Sequence, residues 1–283
     1  MCCRDVVAAG ALWWTAGVWP SPGRVSRRTT RRHFLLNPDQ AREVEQCYWC
    51  CLGLAAQRFG VVVHAGCLMS THSHEVVTDV RGVLPRFLQE FHRLLALTTK
   101  AFRGWPGEVF DKRSTGQHSL LTPEATIEAL AYLIANPVEA GAVRYAKDWP
   151  GAHTLPQDIG TRVVKVKRPA HYFDPDNAAW PDLVELRLQM PTELQLDYGT
   201  ELARQRIAER VKAREHRAWQ ESKHTGIAFA GARQVLRQAH TKRTFSPVGE
   251  ILAVSSRPLI GSKPLLSNRA SLRGLAPTSV GSL

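Results

Sequence analysis

Residues 61–78, VVVHAGCLMSTHSHEVVT, decide the fold. The first half, 61–69, is a continuous apolar and β-branched run of the kind a buried strand needs, and 74–78 (HEVVT) is a second. Ser70-Thr71 leaves room only for a tight reversal, so the stretch predicts a β-hairpin. Gly60 precedes it and Gly82 ends it. Upstream, Val44, Cys47, Tyr48, Cys51, Leu52 and Ala55 recur at spacings of three and four, which predicts a helix over 39–59 opened by Asn37-Pro38-Asp39. Downstream, Leu84, Phe87, Leu88, Phe91, Leu94 and Leu95 predict a second helix over 83–102. At the outer flanks, 24–36 (RVSRRTTRRHFLL) reads as a strand with a cationic edge, and 104–121 as loop with a short strand near 109–112. Thr122-Pro123-Glu124 opens a third helix, which Asn136-Pro137 ends. The order strand, helix, strand, strand, helix, strand, helix predicts an α+β fold. Its form is a ferredoxin-like split βαβ antiparallel sheet of about four strands with helices on one face.

Around this core the 283-residue chain has 44% hydrophobic and 22% charged residues, which excludes collagen-like, wholly disordered and coiled-coil architectures. Its formal charge of +12 favours a polyanionic partner, and nucleic acid is the commonest. That charge is unevenly spread: +5 over 1–37, −3 over 38–200 and +10 over 201–283. The expected organisation is an atypical, disordered leader over 1–23, a core domain over 24–151, a basic, mainly helical extension over 152–254 and a flexible tail over 255–283. Within the extension, basic helices are predicted over 200–224 and 232–242, after proline-rich connections. The apolar stretch near the N-terminus is too short to span a bilayer and makes a poor signal peptide, so no membrane partner is expected. Six cysteines in no recurring spacing point to a reducing, cytoplasmic setting.

Two residue pairs carry chemistry. His72 and His74, two apart at the start of a strand, project from the same face, and two such imidazoles can share one divalent ion. A bare His-x-His also occurs as two surface histidines at a turn. Tyr132 and Asn136, four apart on a helix, also share a face; alone they read as a core tyrosine and a helix-ending Asn-Pro. If the two faces meet, Asn136 adds an amide oxygen to the metal and Tyr132 a hydroxyl nucleophile beside it.

Together, Met69-Ser70-Thr71-His72-Ser73-His74 and Tyr132-Leu133-Ile134-Ala135-Asn136-Pro137-Val138-Glu139-Ala140-Gly141 resemble the signature of the single-tyrosine HUH transposases. The branch most resembled is that of the REP-associated tyrosine transposases, which also carry the Arg-Arg-x-Phe-Leu-Leu stretch and a trailing Trp-Pro-Gly. The resemblance covers about residues 24–151. It implies cleavage and rejoining of single-stranded DNA through a 5′-phosphotyrosine intermediate, on hairpin or palindromic repeat ends. Tyr132 would be the nucleophile, and His72, His74 and Asn136 would hold Mg²⁺ or Mn²⁺. Relatives work both as monomers and as homodimers. For phosphate contacts the candidates are Arg27, Arg28, Arg31 and Arg32 near the first strand, and Arg206, Arg210, Lys212, Arg214 and Arg217 on the basic helix.

Three positions depart from the family pattern: Thr71 stands where Asn is usual, and Ser73 and Glu75 where apolar residues are usual. By strand alternation Ser73 and Glu75 point into the core. Glu75 therefore needs a cationic partner, a displaced strand, or a lineage that has drifted toward DNA binding without chemistry. Two other metal readings are weaker. Thr71-His72-Ser73-His74 opens like the motif of metallo-β-lactamase-like hydrolases but continues into Val76 and Val77. Cys47, Cys50 and Cys51, with His64, could form a zinc half-site, although their helical spacing favours core packing.

Overall fold

The computed structural model describes residues 20–112, 115–178 and 180–244. The strands and helices β1 (Gly23–Arg28), α1 (Glu43–Phe59), β2 (Val62–Met69), β3 (His72–Thr78), α2 (Leu84–Arg103), β4 (Gly116–Ser119) and α3 (Pro123–Glu139) follow in the expected order. The four strands form one antiparallel sheet in the order β2-β3-β1-β4. Each crossover, β1-α1-β2 and β3-α2-β4, brackets a strand of the other, which makes the sheet a ferredoxin-like split βαβ.

The crossover helices lie on one face, where Val25, Val63, Leu68 and Val77 pack with Tyr48, Trp49, Phe87 and Phe91. Each of these large side chains contributes roughly 1.5–3 kcal/mol by leaving water. α3 covers the opposite face, on Ala65, Cys67, Met69 and Val76. A bulge in β2 between Val63 and Ala65 makes this division of side chains. The extra residue, His64, shifts the pleat by one position, so Cys67 and Met69 fall opposite His74 and His72. Helix starts follow local chemistry. The Asp39 carboxylate accepts from the Glu43 and Val44 amides at 3.1 and 2.9 Å, and Thr122 Oγ1 accepts from Ala125 N at 3.1 Å.

Several boundaries differ from the pattern. β1 ends at Arg28, because Thr29 Oγ1 donates to the His33 carbonyl at 2.6 Å and closes a tight turn. Arg31 and Arg32 sit in that turn with positive φ of 47° and 56°. The fourth strand lies at Gly116–Ser119 and not near 109–112. Val109 and Phe110 are buried, yet the Thr29–Phe110 pair is an isolated bridge, past the point where β1 has broken. The true edge strand, GQHS, is polar and mostly exposed, and so carries no apolar signal. α3 continues through Pro137 to Glu139, since a proline this close to a helix end removes one terminal hydrogen bond.

The chain after α3 returns to this core. Trp149 Nε1 donates to the Leu68 carbonyl at 3.1 Å, and Leu68 N and Thr154 N bond the Ala152 and Gly66 carbonyls, which covers the outer edge of β2. Where only proline-rich connections were expected, β5 (Val163–Lys167) and β6 (Leu183–Arg187) form a hairpin. Its buried Val164, Val184 and Leu186 face α1. Gly53 permits the contact, because a Cβ there would lie 2.6 Å from Val184 Cγ1. α4 (Thr192–Thr225), kinked at Gly199, then packs along α3, and α5 (Ala232–Leu236) is shorter than the 232–242 expected. Among the described residues no helix is long and apolar enough to cross a membrane. Most of the leader expected over 1–23 and all of the tail expected over 255–283 lie outside the described residues.

Candidate active site

Register fixes which side chains share the face under α3. Arg28 pairs with His72, Ser26 with His74 and Arg24 with Val76, so Arg24, Ser26 and Arg28 stand beside the histidines. Helical spacing on α3 turns Tyr132 and Asn136 toward the same place. The His72 and His74 rings meet edge-on at 4.7 Å, and His74 meets the Tyr132 ring at 5.4 Å. The Asn136 amide lies 3.4 Å from His74 Nε2. The four residues that the two motifs nominate therefore converge.

Both imidazoles are neutral near pH 7. Burial, with Arg28 alongside, lowers the His72 pKa to about 4. Burial, His72 and the nearby arginines hold His74 well below the usual histidine range. His72 Nδ1 lies 3.0 Å from Thr71 Oγ1, and donation to that hydroxyl leaves the lone pair on Nε2. His74 Nδ1 is buried with no hydrogen bond of good geometry, the Val25 carbonyl being near enough only to favour its protonated form. Two uncharged nitrogens and an amide oxygen are a donor set that a divalent ion accepts. Among the described residues no cluster of three His, Cys, Asp or Glu occurs.

Tyr132 is half-buried between two guanidiniums: Arg24 lies 5.0 Å and Arg214 5.5 Å from its ring centroid. Burial raises its pKa; Arg24 and the Asn136 amide pull it back, while Glu139 adds to the rise. Arg214 reaches across from α4 and pairs with Glu128 at 3.1 Å and Glu139 at 2.8 Å. Arg24 is the residue the sequence reading missed. Its signal was parity, since it lies four positions before Arg28 and shares its face.

The phosphate-contact candidates separate. Arg28 is exposed beside His72, and Arg32 in the following turn is felt by the same ring. Arg31 is exposed in that turn. Arg27 is on the opposite face, 5.7 Å from the Phe110 ring centroid, where burial lowers its pKa. On α4, Arg206 covers Tyr198 at 4.2 Å, Arg210 and Arg214 pair with α3 carboxylates, and Lys212 and Arg217 are exposed.

Behind the site, Glu75 has no exposed surface and, among the described residues, no cationic partner. The strand is not displaced there: Glu75 keeps its register opposite Val25 and Gly66. Tyr48 Oη donates to Glu75 Oε1 at 3.1 Å, Oε2 is left without a partner, and burial pushes the carboxyl pKa up to about 8. Glu75 is therefore a neutral acid near pH 7. Gly66 makes room for this pair, since a Cβ there would collide with the Tyr48 hydroxyl. Among the described residues the cysteines assemble no metal site. Cys47, Cys50, Cys51 and Cys67 are free and buried, burial raises Cys47 and Cys50 to about 12, and His64 is held by Gln189 O and Thr78 Oγ1.

No family model and no curated protein matches the chain. Among solved structures it is similar to a REP-associated tyrosine transposase bound to a REP hairpin, with 15% identity over 56% of this chain and 95% of that one, at TM-score 0.40. It is also similar to a putative transposase from Deinococcus radiodurans R1, with 17% identity over 38% of this chain and 85% of that one, at TM-score 0.32. At these values the two likenesses carry no argument about chemistry.

Proposed function

We propose that this chain is a transposase-like endonuclease that cleaves and rejoins single-stranded DNA through Tyr132. The observation that carries this is the convergence of Tyr132, His72, His74 and Asn136 between α3 and β3. In the forward step Tyr132 Oη attacks phosphorus, the P–O3′ bond breaks, a 5′-phosphotyrosine forms, and the leaving 3′ oxygen takes up a proton. The bond energy is retained, so a 3′-hydroxyl can reverse the step. His72, His74 and Asn136 would hold Mg²⁺ or Mn²⁺, which when bound would polarise the phosphoryl oxygens. Arg24 and Arg28 steady the phosphates, and Arg24 also favours the phenolate.

The test uses single-stranded DNA containing a hairpin and labelled at its 3′ end, because the downstream fragment stays on the protein. A covalent adduct is expected with Mn²⁺ or Mg²⁺, absent in Tyr132→Phe and reduced at least tenfold in His74→Ala. An adduct that persists in Tyr132→Phe, or none with either ion, overturns the proposal. One observation favours a second reading, DNA binding without chemistry: the half-satisfied Glu75 lies directly behind the metal-facing histidines. Tight binding without an adduct is its expected result.

A further inference from the structure

The loop after α3 and the C-terminal end of α4 build a cluster that the tyrosine site does not use. Tyr145, 36% exposed, stands edge-on to Trp219 with centroids 5.2 Å apart. The Arg144 guanidinium lies 5.9 Å from the Tyr145 centroid and 5.7 Å from that of Trp219, and Lys147 Nζ lies 5.6 Å from Tyr145. Trp219 Nε1 donates to the Arg144 carbonyl at 2.7 Å, which pins the indole to the loop. Beside the indole is a cavity of about 460 Å³ whose lining includes Arg144, Asp148, Trp219, Ser222, Lys223 and Phe229.

Arg144, Lys147 and Lys223 are exposed, and among the described residues none of them is in an ion pair. The cations near the rings sit close to the outer limit of a cation–π contact, so they are weakly held there. Planar rings between unpaired cations match the two repeating features of a single nucleic-acid strand. An unstacked base offers a π-face to an aromatic ring, and each phosphate offers a charge to a Lys or Arg. A duplex keeps its bases stacked and could use only the cations.

We propose that the Tyr145–Trp219 cluster and its cavity form a binding site for an unstacked base of single-stranded DNA, with Arg144, Lys147 and Lys223 holding the flanking phosphates. Arg214, which touches the Tyr132 ring, and Trp219 are five residues apart on α4, about 7.5 Å along its axis. The base so held belongs to the strand that enters the tyrosine site, a clause that rests on the endonuclease reading.

The test uses the full chain carrying Tyr132→Phe and a single strand of roughly 12 nucleotides with 5-iodouracil placed at successive positions. Irradiation is expected to cross-link one position to the peptide containing Tyr145 or Trp219. Trp219→Ala is expected to weaken binding of the single strand about tenfold, as loss of one base stack does, and to change binding of the matching blunt duplex little. Lys147→Glu and Trp219→Phe, which keep the fold if Trp219→Ala does not, should weaken single-strand binding and spare it, respectively. Cross-links confined to the Tyr132 face, unchanged affinity in Lys147→Glu, or equal losses for single strand and duplex overturn the proposal. Failure of the endonuclease reading looks different, as no adduct in the parent chain while the Trp219 cross-link stands.

Discussion

Glu75 sits in the core behind His74, where a charge would be costly, and the fold accommodates it as an acid hydrogen-bonded by Tyr48. Its folded pKa of about 8 lies above the usual carboxylate value. The stability gained from holding that proton is therefore complete below about pH 4.5 and is lost as pH rises through about 8, at about 1.4 kcal/mol per unit. Glu75→Gln stays neutral at every pH and keeps an acceptor for Tyr48. The variant is expected to melt at a higher temperature than the parent near pH 8.5, with the gap closing toward about pH 5; parallel melting profiles would show that Glu75 is ionised in the fold. Gly66→Ala, which drives a Cβ into the Tyr48 hydroxyl, is expected to cost about 1–3 kcal/mol in urea denaturation.

α3 and α4 together make the tyrosine site, although the spacing of α4 predicts only a basic helix. Glu128, Tyr132 and Glu139 lie four and seven residues apart on α3, one stripe, and Arg214 of α4 closes over all three. The ion pairs are partly exposed, so each contributes no more than about 1 kcal/mol to docking the helices. Their larger effect is on charge. Arg214 neutralises Glu139, the carboxylate that raises the Tyr132 pKa. Arg214→Ala is expected to move the pH dependence of adduct formation to higher pH, and adding Glu139→Gln should move it back. A loss of rate that is the same at all pH values would mean that Arg214 acts only by packing.

Over the whole molecule, helices cover both sheet faces, and the histidines buried between them have lost their charge. His64 and His153 are held down to about 4 and His92 to about 3, in each case chiefly by burial. The unfolded chain binds these protons below about pH 6.5 and the fold does not. Stability is therefore full above that pH and lost as pH falls toward 4, at about 1.4 kcal/mol per unit for each histidine. The urea midpoint is expected to drop steeply between about pH 6.5 and pH 4, and His64→Gln should flatten the drop; a midpoint constant across that range would contradict the neutral assignment. The element order was legible because the 61–78 hairpin and the two amphipathic helices have apolar periods of their own. β4 was not, because an exposed edge strand needs no apolar residue, nor was the β5–β6 hairpin, whose strands are joined by a long connection without a turn signature. By itself the sequence determined that His72 shares a face with His74 and Tyr132 with Asn136, since the periods of strand and helix are local properties of the backbone. Only the tertiary structure decided that these faces meet, that Arg24 and Arg214 bracket the tyrosine while Arg27 turns away, and that Tyr145 joins Trp219. Those outcomes depend on register, on the bulge at His64 and on helix packing, which are settled by contacts between residues far apart in the chain.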